Sequence, residues 1–173
     1  MIVKILMFFG LMNQMPLYEQ YSNEIIDNYK KEVLAPKNIS ISSLGGRSNN
    51  MIEKISIGVN VKGPISINDG RNLLVFLVNE LIIRFNQCDK IRPYLLDNFF
   101  TEKNINFDIS AISPKNNFWI LDKNYDIDEQ IAFIMLHQGN VTYSIKEKTG
   151  ISPLKTIFEE TFKKSEDIIK NSQ

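Results

Sequence analysis

Apolar positions crowd most densely between Ile67 and Phe85, in INDGRNLLVFLVNELIIRF. On a 3.6-residue wheel Leu74, Val75, Leu77, Val78, Leu81, Ile82 and Phe85 share one side, and Leu73, Phe76 and Ile83 widen the arc. An arc of that width predicts a helix covered on more than one side. Ser66, Asn68 and Asp69 stand just ahead of it as capping residues, and either Ser66 or Asn68 could accept a hydrogen bond from a first-turn amide. Two polar strips remain, one of Asn72, Asn79 and Asn86 at heptad spacing, the other of Glu80 and Arg84, an i,i+4 pair in the favourable order. Both are read as solvated, because three amides without a sustained a/d pattern do not make a coiled-coil seam. Asn79, Glu80 and Arg84 also interrupt the run well short of the roughly 18 unbroken apolar residues of a membrane span.

Period-two patterning marks the strands. Ile55, Ile57, Val59 and Val61 alternate with Ser56, Gly58 and Asn60, which predicts a strand buried on one face, broken by Gly63 and Pro64 just before the helix. Ile105, Phe107, Ile109 and Ala111 alternate in the same way with Asn106, Asp108 and Ser110. A second strand is expected at Phe118 to Asp122, joined to the first by the turn-rich residues 113–117. Residues 130–137 and 140–146 flank Gln138 and Gly139, the spacing of a tight hairpin. The unbroken run from Ile131 to Leu136 predicts a central strand or one covered on both faces.

Amphipathic helices are expected at both ends of the chain. Leu17, Tyr21, Ile25, Tyr29 and Val33, with Ile26 and Leu34 beside them, form a stripe that ends before Pro36, and its two tyrosines, whose hydroxyls can stay wet, are read as core packing and not as an aromatic ligand platform. Residues 152–169 place Leu154, Ile157, Phe158, Phe162, Ile168 and Ile169 opposite Glu159, Lys163 and Glu166, with Ser152 as cap and Pro153 in the first turn. Between them, residues 36–53 read as a loop around Gly45 and Gly46 with at most a short strand at Ile39 to Ile41. Gly-Gly-Arg is not a phosphate loop, since neither GxGxxG nor GxxxxGK[ST] is present.

A chain of 173 residues fits one domain, residues 17–173, preceded by a hydrophobic segment at 1–16. That segment has a lysine ahead of eight apolar residues, as in a short secretory signal, but no small-residue cleavage site follows. It reads as a degenerate export signal or as an apolar segment that packs on the domain or touches a membrane through residues 1–12. Membrane anchorage predicts that the full chain sediments with membranes and that a variant lacking residues 1–12 does not. Equal solubility of the two forms would remove that idea.

Twenty basic and 20 acidic residues cancel, so no overall field draws the chain to nucleic acid or an anionic surface. Cys88 is the single cysteine, which excludes an internal disulfide and a thiolate zinc site. His137, the single histidine, lies at the hairpin tip and reads as an exposed turn residue rather than a general base or metal ligand. No nucleophile elbow and no HExxH is present, and no cofactor is expected. The strongest binding candidates are Arg92 and Tyr94, a guanidinium and a phenol flanking a proline, suited to a carboxylate or phosphate. The competing reading pairs Arg92 with Asp89 or Asp97 and packs Tyr94.

Several short motifs occur together between residues 44 and 110. They are Gly45-Gly46-Arg47, the strand at Ile55 to Val61, Arg71 ahead of two leucines, Phe85-Asn86, IRPYL at Ile91 to Leu95, Phe100-Thr101, and NINFDIS at Asn104 to Ser110. In these the chain resembles an uncharacterised family of small bacterial proteins made with signal peptides. The resemblance implies export and carries no activity with it.

The fold expected is α+β in two layers: a mostly antiparallel sheet of four or five strands, a central buried helix against one face, and amphipathic terminal helices alongside. The function expected is a non-enzymatic interaction module, exported or envelope-associated and otherwise cytoplasmic, meeting a protein partner by a sheet face or edge. The alternative is an enzyme whose site forms only in three dimensions around Arg92, Tyr94, Asp97 and Asp108.

Overall fold

The computed structural model describes residues 15–115, 117–148 and 153–172. The fold is α+β, with a six-stranded mixed sheet and three helices that share one hydrophobic core on one of its faces. In chain order the elements are α1 (Leu17–Tyr29), β1 (Ser40–Ser48), β2 (Ile52–Lys62), α2 (Ile67–Gln87), β3 (Ile105–Ile112), β4 (Phe133–His137), β5 (Asn140–Ile145), β6 (Lys155–Thr161) and α3 (Phe162–Lys170). The strands lie side by side in that order.

α2 forms where the apolar arc predicts. The Ser66 hydroxyl oxygen accepts from the Asp69 amide at 3.0 Å and its proton goes to the Asp69 carboxylate at 2.8 Å, so Ser66 is the cap. Asn68 instead accepts from Arg71 Nη1 at 2.6 Å. Leu74, Leu77, Val78, Leu81 and Phe85 are fully buried, whereas Phe76 and Ile83 stay exposed, so the expected cover on more than one side is incomplete. Gly70 lets the helix start pass close over the sheet, since a Cβ there would lie 2.3 Å from Ile134 Cδ1.

Because α2 carries the chain across between them, β2 and β3 run parallel, so the sheet is mixed, while its other four pairings are antiparallel as expected. Their register sets Ile55 beside Ile105, Ile57 beside Phe107, Val59 beside Ile109 and Val61 beside Ala111, all buried beneath the helices. The β4–β5 hairpin matches the expectation. Gln138 and Gly139 both have positive φ, 51° and 79°, which a tight two-residue turn requires. β4 is central, between β3 and β5, but Met135 is exposed and Phe133 half-buried, so its second face is open and not covered.

Four expectations change. The strands number six, not four or five. The stretch read as a loop at 36–53 holds the nine-residue β1 and the start of β2. Phe118 makes one bridge to Ile112, and residues 119–122 form no strand. The helix expected at 152–169 is a strand followed by a helix: β6 pairs antiparallel with β5, and Thr161, whose side chain accepts from the Lys164 amide at 3.2 Å, caps α3. The proposed cap Ser152 lies outside the described residues, as does the hydrophobic segment at 1–14.

α1 continues through a π turn at Lys30–Leu34 into a 3-10 turn that contains Pro36. Tyr29 packs in the core as expected, and its fully buried hydroxyl donates to the Leu77 carbonyl at 3.0 Å, tying α1 to α2. Burial, with the Glu80 charge adding and Arg84 opposing, pushes its pKa far above the tyrosine range, so the ring stays neutral in the fold. Two of the three asparagines read as solvated also have partners. Asn79 donates to Glu166 of α3 at 3.0 Å, and Asn86 holds the backbone of Phe100. Among the described residues no helix is long and apolar enough to cross a membrane.

Candidate functional site

The structure separates the residues singled out from the sequence. Arg92 is half-exposed, pairs with Asp89 at 3.0 Å and donates to the Asn86 carbonyl at 3.2 Å. Tyr94 packs against Tyr18 and Tyr21 of α1, with ring centroids 6.2 and 6.4 Å away. Asp97, in the turn that follows, has a positive φ of 63°. Arg92 and Tyr94 lie on the helix side of the molecule, against α2 and α1. Asp108 shares the opposite face of the sheet, which carries no helix among the described residues, with Asn106 and Ser110, so the four do not converge on one site.

Asp108 has a neighbour that sequence reasoning missed. Its cross-strand partner is Met135, which sets His137 diagonally from it on the same face. Burial raises the Asp108 pKa above the ordinary aspartate value, and the His137 charge partly opposes that rise. Beside them Asn106 donates to Ser56 Oγ at 3.2 Å while its Oδ1 is buried without a partner. Placing β4 next to β3 in this register is what brings the carboxylate near the imidazole, and the linear spacing of residues 108 and 137 does not show it.

Strand β1 supplies a second feature. It is an edge of the sheet, and eight of its nine residues are exposed. Between register shifts at Ile41/Ser43 and Arg47/Ser48, residues 43–47 run in regular antiparallel pairing with β2. Leu44 is paired with Ile57 and turned to the helix side, where a groove of about 220 Å³ opens between β1 and α1, walled by Tyr18, Ile26, Leu44, Ile52 and Arg47. The opposite edge strand, β6, is held differently. It begins with Lys155, paired with Glu147 at 3.0 Å, presents Glu159 outward and passes straight into α3.

A densely bonded polar group lies in the interior. Glu160 of β6 points inward, where Oε1 accepts from Arg71 Nε at 2.8 Å, Tyr143 Oη at 2.7 Å and Ser165 Oγ at 2.9 Å, and Oε2 accepts from Arg71 Nη2 at 3.3 Å. Burial alone would raise the Glu160 pKa, but the bonds from Arg71, Tyr143 and Ser165 and the Arg71 charge outweigh it and hold the carboxyl below its ordinary value. Every member is partnered and buried, so the cluster fastens β5, β6, α2 and α3 together and presents no free group to a substrate.

At the far end of β2 from the β1 groove, a cavity of about 590 Å³ opens between the start of α2 and residues 119–130. Gln130 organises that segment from within. It is 2% exposed, takes the Asp122 amide on Oε1 at 2.7 Å and sends Nε2 to the carbonyls of Asp122, Tyr125 and Asp126 at 2.8, 3.1 and 3.3 Å. A comparison with protein-family models, curated proteins and solved structures finds no match to this chain.

Proposed function

We propose that the chain is a non-enzymatic binding module, exported or envelope-associated, that meets a protein partner by strand addition along β1. The observation that carries this reading is an edge strand of nine residues, SISSLGGRS, with no proline and a single charge. A row of unpaired amides and carbonyls on such an edge is a template for a further strand, and folded proteins ordinarily blunt it with charge, proline or cover. β6 carries such guards and β1 has little beyond its bulges. The groove behind β1 would take alternate side chains of the incoming segment, Leu44, Ile26 and Ile52 favouring an apolar one.

Gly45 allows a clean test. A Cβ built there meets nothing within 4 Å, so Gly45→Lys adds an edge charge without disturbing the fold. Peptides selected from a random displayed library on the wild-type protein are expected to slow hydrogen exchange at β1 amides. They should bind the Gly45→Lys variant at least about tenfold more weakly, with its melting temperature unchanged. A library that yields no binder, or binders indifferent to the substitution, would count against strand addition at β1.

A further inference from the structure

We propose that the cavity between the start of α2 and residues 119–130 binds a small organic cation, an alkylammonium compound. This site is independent of the β1 edge and lies at the other end of β2.

Charge and shape both point to that ligand. The cavity is walled by Asp69, Asp122 and Glu129 together with Trp119 and Tyr125, and among the described residues no lysine, arginine or histidine lines it. Although the whole chain is neutral, the segment from Asp122 to Glu129 sets Asp122, Asp126, Asp128 and Glu129 against Lys123 alone. None of the three lining carboxylates has an ion-pair partner among the described residues. Asp69 is partly satisfied by Ser66 and by the helix start. Asp122 spends Oδ1 on the amide and side chain of Asn124, at 3.0 and 2.8 Å, which leaves Oδ2 free.

The aromatic walls add the second component. Tyr125 stands 68% exposed at the rim, an aromatic face that gains by covering a cation, and Trp119 is half-buried deeper in. Among the described residues no three His, Cys, Asp or Glu side chains converge closely enough for a metal ion. The carboxylates therefore surround a volume of multi-atom size and do not gather on a point. Gln130, through its bonds to the main chain of Asp122, Tyr125 and Asp126, fixes the backbone that carries two of the lining side chains before any ligand arrives, which lowers the ordering cost of binding.

Putrescine, titrated into the isotopically labelled protein, is the direct probe. Chemical-shift changes are expected at the Trp119 indole and the amides of residues 122–130, with an affinity that falls as ionic strength rises. Glu129→Gln should weaken binding about tenfold, and Tyr125→Ala about threefold. Gln130 is left intact in both variants, so the cavity persists. The neutral isostere 1,4-butanediol should leave the spectrum unchanged. N-acetyl-lysine methylamide separates two sources of the same chemistry: tighter binding than putrescine assigns the site to a protein lysine side chain, weaker binding to a free amine. Absence of shifts with millimolar putrescine would overturn the proposal. So would equal shifts with butanediol, or shifts that survive Glu129→Gln combined with Asp122→Asn.

Discussion

Glu160→Ala is expected to destabilise the protein by about 3–5 kcal/mol, the cost of stripping one partner from a buried ion pair. For a domain of this size that is a fall of roughly 10 °C in melting temperature. The loss exceeds that of a surface pair because Arg71 is 7% exposed and would keep its charge with Asn68 Oδ1 as its remaining hydrogen-bond partner. The Tyr143 and Ser165 hydroxyls would lose their shared acceptor at the same time. Glu160→Gln should cost less, since an amide oxygen can still receive those hydroxyls. Replacing both ends, Arg71→Met with Glu160→Leu, should recover part of the loss, because an apolar pair leaves no uncompensated charge behind. Urea unfolding measures all three variants, and a loss below about 1 kcal/mol for Glu160→Ala would contradict a dry, bonded carboxylate.

The same cluster sets the acid response. The Glu160 carboxyl is held below its unfolded value, so its stabilisation is present above the unfolded pKa, about 4.3 for glutamate, and is lost as pH falls through the folded one. The wild type should therefore converge on Glu160→Gln as the solution is acidified below about pH 4. Tyr29 and Tyr143 act at the other extreme. Burial raises both, and for Tyr143 the bonded Glu160 carboxylate raises it further. Their contribution is complete below the ordinary tyrosine pKa, about 10, and is withdrawn as pH climbs above it.

How much of this could be read from the chain depended on whether one face of an element was dry. α2 and β3 each set an unbroken apolar face against polar neighbours and periodicity located both, while the two-residue turn at Gln138 and Gly139 located the β4–β5 hairpin. β1 has no such contrast. An edge strand exposed on both faces has no alternation to display, and Gly45 and Gly46 then imitate a turn. β6 fails for another reason. In KTIFEET the inward residues include Glu160, whose burial depends on Arg71, 89 positions away, so a true core position reads as surface. The parallel pairing of β2 with β3 was implicit once a strand, a helix and a strand were recognised in succession. Asp89, one of the two partners read for Arg92, stands three residues away and does pair with it, whereas the packing of Tyr94 on Tyr18 and Tyr21 is a matter of tertiary placement. The carboxylates around Trp119 were hidden likewise, since Asp69 joins Asp122 and Glu129 only because Ile65 pairs with Ile131.

Asn86→Ala is expected to cost about 2–4 kcal/mol, far more than a solvated asparagine on a helix would. Its side chain lies against the backbone of Phe100 as a neighbouring strand would, Oδ1 accepting the amide at 2.7 Å and Nδ2 donating to the carbonyl at 2.8 Å. Phe100 is fully buried and its ring stacks on Phe85, centroids 4.9 Å apart, so water cannot replace either bond without opening that contact. Asn104 makes the companion anchor. It accepts from Thr101 N at 3.0 Å and donates to the Glu53 carbonyl at 3.1 Å, so the irregular segment between α2 and β3 hangs from two amide side chains. Asn86→Asp should be nearly as damaging as alanine, since a carboxylate keeps the acceptor but faces the Phe100 carbonyl with no proton to give. Hydrogen exchange separates this from a general loss of helix stability: the Phe100 amide should lose protection while the amides of Leu77 and Leu81 keep theirs relative to global unfolding. An Asn86→Ala protein with wild-type stability and a protected Phe100 amide would return the heptad asparagines to the solvated face on which their spacing first placed them.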